Sequence, residues 1–288
     1  MPADKSIAVI ILNFFASDDT VHCVNSVLSE LWAEVFLVDN SVDETETENL
    51  MVLFGDNSAV KIFFPQENLG FAAGVNFGLR EAQRAGYKKF LVLNNDTVLM
   101  QGSGPILTDA LERYPSSLIS PTINWNGKRL GGMYYHRYLG LISSTGVSFN
   151  WGWFYYLTGC ALAFDESLLE RAGYFDESFF MYGEDVEFCY RVIKSGCELV
   201  TLSQQLVFHA GSKSSRQGSL FYEYQVLRGH FLLTFKFCGS PLKCLISFSG
   251  KSLTLFVRAL KRSLCYRSPV PLLAWFLAPF SMKVRCRI

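Results

Sequence analysis

At 288 residues the chain has room for one large α/β domain or two small ones. Half of it is hydrophobic and 15% is aromatic, which supports a sizeable core and excludes a disordered or low-complexity chain. Net charge is zero but unevenly laid out: residues 1–220 carry 15 Lys+Arg against 25 Asp+Glu, and residues 221–288 carry 11 Lys+Arg against Glu223 alone. The body is thus at −10 and the tail at +10, so an anionic surface, either membrane or nucleic acid, is the natural partner of the tail.

In chain order, Ile7–Leu12 is continuously apolar and β-branched, as a strand buried on both faces of a parallel sheet requires. Asn13 and Asp18-Asp19 follow it too soon for a signal sequence. Asp18–Glu30 reads as a helix, Val35–Val38 as a second strand ending in Asp39-Asn40-Ser41, and Asp43–Leu53 as an acidic helix. Val60–Phe64 and Phe90–Leu93 read as the third and fourth strands, the fourth ending in Asn94-Asn95-Asp96-Thr97. This alternation predicts a βαβα half over the first ~120 residues with right-handed crossovers. Ligands bind beyond the carboxyl ends of such strands, where Asp39 and Asp96 both stand. Between the third and fourth strands, Gly70, Gly74 and Gly78 recur every four residues. Close helix packing and a strand-to-helix turn that admits a nucleotide both account for that spacing. With neither G-x-G-x-x-G nor G-x-x-x-x-G-K-[ST] in the chain, a Rossmann dehydrogenase or P-loop NTPase is disfavoured.

Asn124-Trp125-Asn126-Gly127 reads as a hairpin turn. Trp151, Trp153, Phe154, Tyr155 and Tyr156 fit either core packing or a saccharide-stacking acceptor site. Thr158-Gly159-Cys160-Ala161 then enters a strand. The aromatic run Phe179-Phe180-Met181-Tyr182 leads through Gly183 into Glu184 and Asp185, where a helix begins with Val186, Cys189, Tyr190 and Ile193 on one stripe. Acids at a helix start complement its dipole. Set against so many aromatics they also form a desolvated carboxylate pair, which is how a general base is tuned. Glu198–Leu202 is a further strand, running on to His209. The eight cysteines form no C-x-x-C pair and sit in apolar segments, as reduced cytosolic thiols do. The longest late apolar run, Val270–Phe280, is too short to span a bilayer. In the tail, Leu253, Phe256, Val257, Leu260 and Leu264 share one helical face, as in an interfacial helix or one packed on the catalytic domain with a solvated basic face; the charge balance favours the membrane, and no nucleic-acid-binding signature accompanies it.

Four of these segments, Val38–Ser41, Asn68–Asn76, Leu93–Thr97 and Gly183–Glu187, resemble the successive motifs of family 2 glycosyltransferases, in order and spacing over about residues 5–215. The rhamnosyltransferase-like enzymes of bacterial polysaccharide assembly are the branch they look like. The resemblance implies an α/β GT-A fold, with a mostly parallel mixed sheet flanked by helices. Its catalytic domain would cover residues 1–220: a nucleotide-sugar half (1–120), an acceptor and base half (121–220), then a basic helical tail (221–288). Asp39 and Asn40 would meet the pyrimidine base, and Asn68, Gly70, Phe71, Gly74 and Asn76 would line the nucleoside. Asn94-Asn95-Asp96 stands in place of Asp-x-Asp, so Asp96 is its sole acid on Mg²⁺ or Mn²⁺, with His209 either joining it as a ligand or contacting the diphosphate. Asn94 and Asn95 would reach ribose or a water-bridged metal, and Lys213 and Arg216 would neutralise diphosphate. Asp185, or Glu184 next, would be the base of an inverting transfer from a nucleotide-diphosphate sugar to a lipid-linked saccharide. The tail would hold the enzyme on the cytoplasmic face of an anionic membrane. A nucleotidyltransferase and a non-catalytic nucleotide-sugar-binding scaffold are the rival readings. The first would show a Gly-rich basic loop where Asn13-Phe14-Phe15-Ala16-Ser17 stands.

Overall fold

The structure is a computed structural model that describes residues 7–30, 33–125, 127–146, 151–209 and 217–281. Its first half is the expected alternation: β1 (Ile7–Asn13), α1 (Ser17–Glu30), β2 (Ala33–Asp39), α2 (Glu44–Phe54), β3 (Val60–Phe63), α3 (Gly70–Arg84) and β4 (Lys89–Asn94). β3, β2, β1 and β4 lie side by side in parallel register, with Asn13 opposite Asp39 and Leu12 opposite Asn94. The functional strand ends therefore finish along one edge.

Along β1 the side chains alternate. Ala8 and Ile10 enter one core with α3, and Ile7, Val9 and Ile11 enter another with α1. This explains why the strand is apolar throughout. α2 starts at a cap made by Asp43, whose carboxylate accepts from the Glu46 N–H at 3.0 Å. The glycine repeat marks close approaches within the protein. Gly70 opens α3 with a φ of +72°, where a Cβ would meet the Phe180 carbonyl oxygen at 2.4 Å. Gly78 is a packing contact, its missing Cβ leaving room for Ile10.

β5 (Thr97–Leu99) and α4 (Ser103–Arg113) lead into β6 (Leu118–Trp125) and β7 (Lys128–Leu130). The last two form the expected hairpin, with Gly127 donating to Asn124 Oδ1; Asn126 lies outside the described residues. A separate antiparallel sheet holds β8 (Met133–His136), β9 (Ile142–Ser143) and β10 (Trp153–Tyr156). β11 (Ala161–Asp165) runs antiparallel to β4, followed by α5 (Glu166–Ala172), α6 (Glu184–Lys194) and β12 (Leu199–His209). β12 is one long strand with register shifts near Gln205. It pairs parallel with β6 and antiparallel with β5, completing the order β3-β2-β1-β4-β11-β6-β12-β5.

The tail folds as α7 (Leu220–Phe237), α8 (Pro241–Tyr266), α9 (Val270–Leu277) and a 3-10 turn to Ser281. α7 is part of the main body: its Leu232, Leu233 and Phe237 join Tyr135, Phe179 and Phe188 in the core. No described helix is long and apolar enough to cross a membrane.

Candidate active site

Asn13 closes β1 and sits at the centre of a polar chain. Its Nδ2 donates to Asp39 Oδ1 at 3.0 Å and to Glu46 Oε1 at 2.8 Å, and its Oδ1 accepts from Thr20 at 2.7 Å. Asn95 donates in turn to Thr20 Oγ1 at 3.0 Å. One buried network thus couples the ends of β1, β2 and β4. Sequence reading missed Asn13, Thr20 and Glu46. The signal for Asn13 was available, since it ends a strand as Asp39 does. Asp39 Oδ1 also accepts from the Ser41 N–H and hydroxyl, which fixes the carboxylate beside a cavity of about 480 Å³ walled by Val42, Asp43, Phe64 and Pro65.

The predicted nucleoside loop divides by role. Asn68 accepts from the Gly70 N–H, Asn40 donates to the Gly70 carbonyl, and the Phe71 N–H reaches the Phe180 carbonyl at 2.7 Å. These bonds pin the start of α3 to the aromatic run ahead of α6. Gly74 packs under Asn40 and Leu12. Asn76 is fully buried and bonded on both sides of its amide to Phe175 and Glu177, which places it in the scaffold rather than on a cavity wall.

Asp96 follows the end of β4. Antiparallel pairing of β12 with β5 sets His209 opposite Thr97, and His209 Nε2 comes within 3.1 Å of Asp96 Oδ1 and 3.2 Å of Oδ2. Asp96 Oδ1 is buried and, beyond this close imidazole, has no hydrogen-bond partner. A buried carboxylate beside an imidazole suits a divalent cation. Among the described residues no three His, Cys, Asp or Glu side chains converge, so Asp96 and His209 would hold a cation together with oxygens of a substrate. Lys213 and Arg216 lie outside the described residues.

At the other end of the site, Gly183 takes a φ of +98° and opens α6, setting Glu184 and Asp185 in its first turn. Asp185 accepts from the Val186 N–H at 2.8 Å and the Gly159 N–H at 3.2 Å. Glu184 Oε2 is buried with no partner. Burial, and then the neighbouring Asp185 charge, pushes the Glu184 carboxyl up to about 8. Burial raises Asp185 as well, opposed by its backbone N–H bonds. Those bonds favour the charged form of Asp185, whereas no hydrogen bond to Glu184 Oε2 offsets its burial.

Gly159 and Cys160 join the two ends. The Gly159 N–H holds Asp185, while the Cys160 carbonyl accepts from the Asn94 N–H at 3.0 Å. The Cys160 thiol, pushed up to about 12 by burial, is no nucleophile at neutral pH. Two consecutive residues therefore set a desolvated carboxylate against the strand end that carries Asp96.

A family model described as Glycosyl transferase family 2 matches residues 6–171, more than half of the chain. The chain belongs to glycosyl transferase family 2. It is a glycosyltransferase, and its mixed sheet and flanking helices are the GT-A fold. A low-salt glycan biosynthesis hexosyltransferase, Agl10 of Haloferax volcanii, is 25% identical over 244 residues, 79% of this chain and 76% of that protein. Among solved structures the fold is shared with GalNAc-T7 crystallised with UDP, GalNAc and Mn²⁺ (TM-score 0.61, 15% identity), of which the match spans 94% of this chain and 59% of that one. It is also shared with a Pyrobaculum calidifontis mannosyltransferase in complex with GDP-Man and Mn²⁺ (0.57, 13%, 96% and 76%). A third is S. aureus TarS 1–349 in complex with UDP-GlcNAc (0.58, 17%, 95% and 81%).

Proposed function

We propose that this glycosyltransferase moves a sugar, a deoxyhexose such as rhamnose, from a nucleotide-diphosphate donor to a hydroxyl of a lipid-linked saccharide. The product would serve O-antigen-like surface polysaccharide assembly on the cytoplasmic face of the membrane. The observation that carries this reading is the Gly159-Cys160 link between Asp185 and the Asn94–Asp96 strand end. It brings a base to the side of a donor site, as a single in-line displacement requires.

Asp39 would read an N–H of the nucleobase from the cavity wall, and Asn68, Gly70 and Phe71 would bound the nucleoside. Asn94 and Asn95 would reach the ribose or a water-bridged metal. Asp96 and His209 would hold Mg²⁺ or Mn²⁺, which when bound offsets the negative charge of the departing diphosphate. Asp185, ionised and held by two N–H groups, takes the acceptor proton as that oxygen attacks the anomeric carbon. The bond from that carbon to the diphosphate oxygen breaks, its electron pair leaves with the diphosphate, and configuration inverts. No covalent enzyme intermediate is needed. Glu184, protonated, keeps a second negative charge away from the incoming acceptor.

A thermal-shift screen of nucleotide sugars with and without Mn²⁺ tests the reading. One nucleotide class should raise Tm, and more so with the metal. No stabilisation by any donor would contradict it.

A further inference from the structure

α8 spans 26 residues, and its neighbours account for all but one of its faces. Lys251, Leu255 and Ala259 are buried, with Leu255 in one cluster with α7 and α9 side chains. Trp275 of α9 packs on Phe256 and donates to the Ser252 carbonyl. The loop after β8 covers a third face: Ser247 donates to the Arg137 carbonyl, Thr254 to the Leu139 carbonyl, and the Gly250 backbone sits against the Tyr138 carbonyl. Left uncovered are Leu242, Ile246, Leu253, Val257, Leu260 and Leu264, which recur at helical spacing and are 42–72% exposed. The strip is about 33 Å long at 1.5 Å per residue.

The covering loop continues this surface. Leu141 and Ile142 are exposed, and Trp151 is 56% exposed with its ring stacked on Tyr138, the centroids 5.0 Å apart. The Arg137 guanidinium lies 5.5 Å from the Tyr138 ring. Amphipathic rings beside a cation are the usual furniture of a membrane–water interface.

We propose that the outer face of α8, together with Leu141, Ile142 and the Trp151–Tyr138 stack, seats the enzyme on a bilayer bearing anionic headgroups. This rests on the membrane reading above and extends it to a second, non-helical element. Charge selects the occupant. The one acid of residues 221–288, Glu223, is fully buried between Arg258 and Arg262, and residues 113–164 contain no acid. Lys261, one turn past Val257, and Lys243, one turn before Ile246, are exposed at the edge of the strip, placed to reach phosphates while their stems lie on acyl chains. A second copy would bring the same positive face against this one. α7, the layer beneath α8, also carries Gly229 directly against the Tyr182 carbonyl and Gly183, so the docking helix is one layer removed from the cap of the base-bearing helix.

The full chain is floated with phosphatidylcholine vesicles and with vesicles of phosphatidylcholine and phosphatidylglycerol, at low and high salt. Wild type should float with the anionic vesicles and release as salt rises. Leu253→Asp with Val257→Asp should abolish flotation at unchanged Tm because these side chains are exposed, and Leu141→Ser with Trp151→Ser should weaken it at least tenfold in protein that remains folded. Quenching of tryptophan fluorescence by lipids brominated in their acyl chains should drop in Trp151→Phe. Flotation that survives either double substitution overturns the proposal. So does a lipid-free dimer that the α8 pair dissociates, since a second copy would then cover the strip. Vesicle binding requires no turnover, so its failure would leave the glycosyl-transfer reading standing.

Discussion

Replacing Asp185 by Asn removes the proposed base while keeping the side chain's shape. Its Oδ1 can still accept from the Val186 N–H, but Nδ2 then faces the Gly159 N–H, which lies 3.2 Å from the native oxygen. Losing that one bond costs about 1 kcal/mol of stability, or about 2–4 °C in Tm for a domain of this size. Loss of a positioned general base costs far more, on the order of a thousand-fold in kcat, equivalent to about 4 kcal/mol at the transition state. Glu184→Gln should behave differently. Glu184 is neutral when burial has pushed it up to about 8, and its Oε2 has no partner to lose, so the amide mimics the protonated acid. We expect turnover within about tenfold of wild type, with the inflection of the pH–rate profile near pH 8 gone. The assay is product formation across pH with the donor selected by thermal shift, and donor affinity measured alongside. If Asp185→Asn turns over within tenfold of wild type, or Glu184→Gln is the more damaged of the two, the division of roles is wrong.

The same Glu184 carries a stability signature. Its folded pKa lies above its unfolded value, so the folded state binds more protons between about pH 4.5 and 8 and stability falls as pH rises through that window. Denaturation midpoints of Glu184→Gln should show less of that decline. Lys251 runs the other way. Burial lowers it to about 7, so the unfolded chain binds the extra proton between about pH 7 and 10.5 and stability climbs with pH there. Lys251→Met should flatten that climb in urea titrations, and an unchanged slope would count against a buried amine. Asn76→Ala should lower Tm by several degrees through its bonds to Phe175 and Glu177, yet leave nucleotide affinity in the folded protein unchanged. A selective loss of affinity would return Asn76 to the nucleoside wall. Asp96→Ala should abolish the Mn²⁺-dependent part of the thermal shift, and an intact metal titration would remove it from the cation site.

Local pattern carried the first half of the fold because β1, β2 and β4 are largely buried on both faces and each ends in a polar residue. Ile7–Leu12 stopped by Asn13 and Val35–Val38 stopped by Asp39 are visible in one dimension. The arrangement of the site depends on pairing between distant segments. His209 meets Asp96 only because β12 runs antiparallel to β5, and Gly159 meets Asp185 only because β11 turns back along β4. Neither relation has a local signature. Asn76 shows the reverse problem: a polar residue in a loop motif reads as a ligand contact until its amide is found satisfied by backbone 99 residues away. In the tail, the exposed apolar face of α8 was legible from its period, whereas the burial of α7 in the main core was not, since its apolar residues surround the helix.

The central claim is one displacement at the anomeric carbon, with Asp185 taking the acceptor proton. The anomeric configuration of the glycoside, read by proton NMR on product formed from the selected donor, tests it most directly. Inversion relative to the donor is the predicted result. A retained configuration would contradict the account, because it requires a second displacement or a same-face attack that a base in Asp185's position does not serve.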